Sequence, residues 1–273
     1  MGNLSIITVN YNDKKGLQDT CRSLMAQSAM DFEWVVVDGG SSDGSVEFIE
    51  GLARKKTLAH LAFVSEQDQG IYDAMNKGVA LANGKYALFL NAGDVLYSRQ
   101  TVAELLSAIN EHGNGNKDKP ALLYGEYIRN MPGHRQLHSK AKEPAYIYHG
   151  LPTSHQAILY PMIFLEKNPY DLSYKISSDY YITSKAFMLG YPLQKIDVVV
   201  SCFRTGGTAS QNSRLVIRDM ARVQKEVLRM SAASIFLSII KRYMNIRIVR
   251  ILHHRRFGST VLWRLISKSR EMS

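Results

Sequence analysis

The stretch Leu4 to Val9 (Leu-Ser-Ile-Ile-Thr-Val) is an apolar, β-branched run that stops abruptly at Asn10-Tyr11-Asn12, which predicts a buried strand followed by a loop. Leu17, Cys21, Leu24 and Met25 then recur at helical spacing and predict an amphipathic helix. A second strand, Glu33 to Val37, runs into Asp38-Gly39-Gly40-Ser41-Ser42-Asp43-Gly44, a loop of residues that cap helices or tolerate left-handed backbone. Val46, Ile49 and Leu52 mark the helix after it. The alternation continues with a strand at Ala62 to Ser65, a helix at Tyr72 to Ala82 and a strand at Tyr86 to Leu90 that ends in Asn91-Ala92-Gly93-Asp94. Thr101-Val-Ala-Glu104 reads as a capping box opening a helix with Val102, Leu105, Leu106 and Ile109 on one face. Strands and helices alternating at this spacing predict an α/β domain with a mainly parallel sheet flanked by helices. Ligands bind such sheets beyond the carboxyl ends of the strands, where the polar residues just named fall.

The polar, aperiodic segment His112 to Pro120 separates this half, residues 1–111, from a second one, residues 121–212, of different texture. The second half holds strand-like pieces at Ala121 to Tyr127, Ala157 to Tyr160 and Asp197 to Phe203, and a helix at Asp179 to Met188. A third segment, residues 213–273, reads as a basic helical tail. The hydrophobic fraction of 45% with 21% charged residues excludes a wholly disordered or collagen-like chain of 273 residues. No run approaches the about 18 apolar residues of a membrane span, and Asn10, Asn12, Asp13 and Lys14 interrupt any secretory core, so a cytoplasmic protein is expected. Cys21 and Cys202 fit no metal or redox spacing and read as buried thiols. The net charge of +10 is concentrated: from Arg214 onward there are 14 Lys+Arg against 3 Asp+Glu, leaving the body near neutral. An anionic surface is the natural partner of such a tail.

Dinucleotide, P-loop and zincin signatures are absent, as is the G-x-S-x-G elbow of a serine hydrolase. What remains is a set of loop carboxylates: Asp38, Asp43, Asp68, Asp73, Asp94 and Asp179. Any one of them alone reads as a cap or turn residue, whereas several at strand ends make a site.

Four stretches carry a resemblance: Ser5-Ile-Ile-Thr-Val-Asn-Tyr-Asn12, Val35-Val-Val-Asp-Gly-Gly-Ser-Ser-Asp-Gly44, Gly70-Ile-Tyr-Asp-Ala-Met-Asn-Lys-Gly78 and Gly84-Lys-Tyr-Ala-Leu-Phe-Leu-Asn-Ala-Gly-Asp94. In order and spacing they look like the successive signatures of family 2 glycosyltransferases, with bacterial exopolysaccharide (colanic acid) enzymes the nearest in texture. The resemblance implies a GT-A, Rossmann-like fold, a UDP- or GDP-sugar donor, a divalent metal (Mn²⁺ or Mg²⁺) and inversion at the anomeric carbon. It assigns Thr8, Asn10, Tyr11, Asp38, Asp73, Asn76 and Lys77 to the nucleotide, and Asp94 with Asn91 to the metal. Asp179 falls where the family carries its general base, with an N-cap as the rival role. His155 and Gln156 are placed to face the acceptor or complete the metal shell, and Arg204 heads a flexible loop that could fold over the donor phosphates. Gly39 stands where many members have a second acid facing the nucleobase. Neither Trp34 nor Trp263 lies in the Gln-x-x-Arg-Trp motif of processive members, so single addition is expected.

In the tail, Met244, Ile248, Ile251 and Leu252 gather on one helical face, with Arg247, Arg250 and His254 pointing away. An interfacial helix on anionic lipid, residues 235–273, serves a lipid-linked saccharide acceptor and predicts peripheral attachment to the inner face of the cell membrane. A helix packed on the catalytic domain is the alternative. A nucleic-acid-binding protein driven by the tail leaves the strand-end acids unexplained, and no nucleic acid is expected as partner. A catalytically weakened homologue acting in assembly would account for the thinned acidic motifs.

Overall fold

A computed structural model describes residues 2–55, 58, 60–113, 115–131, 135–204 and 212–254. The chain divides into two compact units, Met1–Arg229 and Met230–Ser273. The first opens with β1 (Leu4–Asn10), α1 (Lys14–Met25), β2 (Glu33–Asp38), α2 (Ser45–Arg54), β3 (Leu61–Ser65), α3 (Ile71–Leu81), β4 (Tyr86–Phe89), the two-residue β5 (Val95–Leu96) and α4 (Thr101–His112). There follow β6 (Leu122–Met131), β7 (Arg135–Ser139), β8 (Ile158–Pro161), α5 (Met162–Lys167), α6 (Ser178–Met188), β9 (Leu193–Arg204) and α7 (Ser213–Glu226). The second unit carries α8 (Ala232–His254). Every strand and helix expected up to Ile109 is present within a few residues of its expected place.

One sheet runs through the first unit in the order β3-β2-β1-β4-β8-β6-β9-β5, with β7 on β6. The expected parallel arrangement holds for β3, β2, β1 and β4. It gives way at β8, which pairs antiparallel with both β4 and β6, while β6 and β9 are parallel to each other. The His112–Pro120 segment therefore links two halves of one continuous sheet.

Alternate residues of the central strands enter two separate cores. Leu4, Ile6, Trp34 and Val36 face α1 and α4 through Leu17, Cys21, Leu24, Val102 and Leu105. Ile7, Val9, Val35 and Val37 face the opposite side, where α3, α5 and α6 contribute Tyr72, Met75, Phe164 and Ile182. Burial on both faces is why these strands read as continuous apolar runs. Cys21 and Cys202 are buried free thiols, and burial pushes Cys21 up to about 11.

The expected capping box does not form. Gln100 occupies the N-cap of α4, and Thr101 is already the first helical residue. Thr101 Oγ1 instead accepts from Ser98 N at 3.0 Å, and the open Val102 N–H donates to Gln27 Oε1 at 3.0 Å. A side chain from beyond α1 thus does the work that the local motif was expected to do. Residues 213–229, expected to begin the tail, belong to the first unit, with Ile217, Met220 and Val223 buried.

The α3 helix lies so close to β1 that Gly78 has no room for a side chain: a Cβ there would sit 2.4 Å from Ile7 Cγ2. Gly78→Ala is expected to destabilise the protein by about 1–3 kcal/mol through overpacking, despite alanine's better helix propensity. Urea unfolding of the two proteins checks this, and a more stable alanine variant would show the contact to be soft.

Candidate active site

The carboxyl ends of β1, β2 and β3 bring Asn10, Asp38 and Ser65 into one buried network. Asn10 Nδ2 donates to Asp38 Oδ2 at 2.7 Å, Ser65 Oγ to Asp38 Oδ1 at 2.9 Å, and Ser41 Oγ to Asp38 Oδ2 at 2.7 Å. Burial alone would raise the Asp38 carboxyl, but the donors from Ser41, Asn10 and Ser65 outweigh it and hold the group below its ordinary range. Asp38 is thereby committed to shaping the Gly39–Ser42 loop. Asn12, in left-handed conformation at φ 50°, crosses over to the same loop: its N–H donates to Ser41 Oγ and its Oδ1 accepts from Ser42 N. Asn10 Oδ1 is left buried without a hydrogen-bond partner, and Tyr11 beside it is 67% exposed.

Other residues expected at the nucleotide are engaged within the protein. Thr8 is fully buried and its hydroxyl accepts the Trp34 indole N–H at 2.9 Å, so its side chain faces the core. Asn76 brackets the Tyr170 backbone, donating to its carbonyl and accepting from its N–H. Asp73 Oδ2 accepts from Gln69 N, and Lys77 Nζ lies 2.8 Å from Glu66 Oε1 and 3.6 Å from Asp73 Oδ2. The Asp73 and Lys77 ties order α3 and the loop before it, and those of Asn76 hold the segment at Tyr170.

Asp68, noted in the sequence only as one of the loop carboxylates, gains a definite place. Its Oδ1 accepts from Gly70 N at 2.8 Å, and its Oδ2 lies 2.6 Å from where a Cβ on Gly39 would stand, with Tyr11 Cδ2 3.2 Å from the same point. The missing side chain at position 39 is what admits this carboxylate beside the Tyr11 ring.

The residues expected around the metal, acceptor and base do converge. Asp94 and Asn91 lie in the turn between β4 and β5, where Gly93 takes φ 89°. Thr20 of α1 secures that turn, accepting from Gly93 N at 3.0 Å and donating to the Asp94 carbonyl at 2.7 Å. Its signal in the sequence is a hydroxyl within an otherwise apolar helical stripe. Gln156 Nε2 donates to Asp94 Oδ2 at 3.2 Å, and His155 Nε2 lies 3.4 Å from Asn91 Nδ2. The other His155 nitrogen, Nδ1, is 3.6 Å from Asp179 Oδ2. Asp179 is the second residue of α6 rather than its N-cap, which is Ser177, and among the described residues its Oδ1 accepts from its own neighbour, Tyr180 N. From that position Asp179 satisfies a first-turn N–H of α6 with one carboxylate oxygen and approaches His155 with the other. Arg204 closes β9 opposite Asn130, and its side chain and the loop 205–211 lie outside the described residues.

Asp94 is 8% exposed, and burial pushes its carboxyl up to about 6 against the opposing pull of His155 and the hydrogen bond from Gln156. Asn91 Oδ1 is buried without a hydrogen-bond partner. A buried carboxylate with an orphaned amide oxygen in the same turn suits a hard divalent cation, which takes oxygen ligands. Among the described residues no group of three or more His, Cys, Asp or Glu could hold a metal by itself, so oxygens from a bound ligand would have to complete the shell.

Comparison with known proteins points one way. Residues 5–153 match the family Glycosyl transferase family 2. A relative from Mycobacterium bovis, "PGL/p-HBAD biosynthesis glycosyltransferase", is 34% identical over 184 residues, which cover 67% of this chain and 69% of that protein. Among solved structures, Staphylococcus aureus TarS 1-349 in complex with UDP-GlcNAc is similar in fold with TM-score 0.65 at 19% identity, covering 90% of this chain and 73% of that one. The mannosyltransferase PcManGT from Pyrobaculum calidifontis, in complex with GDP-Man and Mn²⁺, superposes with TM-score 0.62 at 14% identity, covering 99% of this chain and 80% of that one.

The elevated Asp94 carboxyl has a measurable cost. The folded protein binds this proton more tightly than the unfolded chain, so stability is fully present below 3.8 and falls as pH rises through about 6. Asp94→Asn is expected to relieve that loss, worth about 3 kcal/mol above pH 7, and to change little at pH 4. The same variant should lose Mn²⁺-dependent binding of nucleoside diphosphates. Thermal melts in metal-free buffer at the two pH values, with binding titrations alongside, test both halves. Equal melting temperatures at high pH, or retained Mn²⁺-dependent binding, would contradict the assignment.

Proposed function

The chain belongs to glycosyl transferase family 2, and we propose that it moves one sugar from a UDP- or GDP-sugar to an acceptor hydroxyl with inversion, using Asp179 as general base. The observation that carries this reading is the linked set in which Asp94 bonds to Gln156, Asn91 approaches His155, and His155 approaches Asp179. Leaving-group chemistry and proton removal need different groups a short distance apart, and this set supplies them. The acceptor oxygen attacks the anomeric carbon as Asp179 takes its proton. The bond to the diphosphate oxygen breaks on the opposite face, and the electron pair leaves with the nucleoside diphosphate. A divalent ion held by Asp94 and Asn91, with His155 nearby, would offset the charge developing on that diphosphate when bound. The exposed Tyr11 ring and Asp68 Oδ2 offer the nucleotide a stacking face and a carboxylate for a nucleobase N–H.

A lipid-linked saccharide acceptor, as in bacterial exopolysaccharide assembly, is the substrate class we favour, and α8 supports it. Phe236, Leu237, Ile240, Tyr243 and Met244 are all exposed and fall within an arc of about 120° on a helical wheel. Apolar side chains concentrated in this way suit the headgroup boundary of a membrane, with the basic residues of the tail attracting anionic lipid. No helix among the described residues is long and apolar enough to cross a membrane. The side chains of Ile248, Ile251 and Leu252, expected on the same face, lie outside the described residues.

Two experiments test the reading. Asp179→Asn should keep donor binding and lose transfer by about 10²-fold or more; wild-type turnover would remove Asp179 from the chemistry. Deleting residues 230–273 should release the protein from anionic vesicles while its turnover of a soluble acceptor survives. Unaltered co-sedimentation of a well-folded truncation would place the lipid contact elsewhere, and an insoluble truncation would show the helix to be a packing element.

A further inference from the structure

The helix α7 lies beyond residues 5–153, the stretch that matches the family. One of its residues, Asp219, is a carboxylate only 1% exposed, and its Oδ2 accepts the Ile176 backbone N–H at 3.1 Å. Arg218 Nη2 stands 3.3 Å from the other carboxylate oxygen. The carbonyl of Ile176 accepts the hydroxyl of Tyr72, from α3. Ile176 is therefore gripped at its N–H and its carbonyl by two helices distant in sequence, just before α6 begins and three residues before Asp179.

Burying a carboxylate is costly, and α7 already packs through Ile217, Met220 and Val223, so packing alone does not call for an acid. The start of α6 does. Its N-cap, Ser177, makes no side-chain capping bond, so the entry of the helix is not fixed locally. It is fixed by tertiary bonds: Asp219 and Tyr72 on Ile176, and Ser178 Oγ donating to the Asp171 carbonyl at 3.0 Å. We propose that Asp219 is a positioning residue, which by holding the Ile176 peptide sets where α6 starts and so where Asp179 stands relative to His155 and the acceptor hydroxyl. This rests on Asp179 being the base. Arg222 of the same helix touches the same loop, donating to Ser173 Oγ at 2.9 Å and lying 4.2 Å from the Tyr174 ring, but it does not bond to Ile176 and serves as the control.

The test uses the full chain with UDP-N-acetylglucosamine and GDP-mannose as donors in Mn²⁺, following release of UDP or GDP from whichever the wild type turns over. Asp219→Ala should lower kcat by about 10- to 100-fold at unchanged donor KM, the scale of a misplaced catalytic group. Asp219→Asn, which keeps an oxygen for the Ile176 N–H, should restore most of the rate. Arg222→Ala should lower the melting temperature and leave kcat in place. In the Asp179→Asn background, Asp219→Ala should cause no further fall, because a positioning residue has nothing left to position. An equal fall in both backgrounds, a parallel change in KM and kcat, or wild-type kcat in folded Asp219→Ala would overturn the proposal. Should Asp219→Ala not fold, Tyr72→Phe releases the opposite side of the same peptide and carries the same double-mutant comparison. Wild-type turnover by Asp179→Asn alone would overturn the base assignment and this proposal with it. Coupling that fails while Asp179→Asn is inactive overturns the positioning role only.

Discussion

The antiparallel pairing of β8 with β4, with Leu88 opposite Leu159 and Tyr86 opposite Pro161, is the interaction on which the site depends. A strand running antiparallel to its neighbour begins where the neighbour ends. The residues just before β8 therefore lie beside those just after β4, and His155 and Gln156 meet Asn91 and Asp94. Had β8 continued the parallel order of β1 and β4, its leading residues would lie at the far edge of the sheet. The same strand pairs with β6, so the change of direction also joins the two halves of the molecule.

Electrostatics then divides the carboxylates by role. Asp38 is buried but surrounded by donors, and its charge stabilises the loop that it shapes. Asp94 is buried with one side-chain donor among the described residues, and holding its charge at neutral pH costs stability. A protein keeps such a group where a cationic partner repays the cost on binding. With Asp94 holding the metal as proposed, stability and donor binding are opposed at this one residue.

Rigidity at Asp179, the proposed base, is obtained differently. The loop from Tyr170 to Ser177 has no regular structure of its own, yet Asn76 brackets one end and Tyr72 and Asp219 grip the other. Tyr72 and Tyr170 are also stacked, with ring centroids 5.6 Å apart. Tyr72 and Asn76 of α3 both hold this loop, so the donor half of the molecule and the Asp179 region share one mechanical support.

The alternating half of the fold, β1 to α4, was legible because its strands are buried on both faces and its helices on one, so burial alone wrote the pattern into the residues. The strand-end acids were legible for a related reason, since loops at sheet ends carry polar groups that the core would reject. The sequence could not show which acids would be consumed internally. Asp38, Asp73 and Asn76, expected as nucleotide ligands, also brace the protein around them, and those ties were not legible, because a hydrogen bond depends on who stands opposite, and that is settled between segments far apart in the chain. Asp68 beside Gly39, Thr20 beneath the Asp94 turn and Asp219 behind α6 were hidden on the same ground. The sequence by itself determined the alternating elements from β1 to α4, the burial of their strands on both faces and the polar strand ends that line the candidate site. Tertiary structure decided the partners, because strand direction at β8 and the crossing of α3 and α7 over one loop are long-range pairings that no local period encodes.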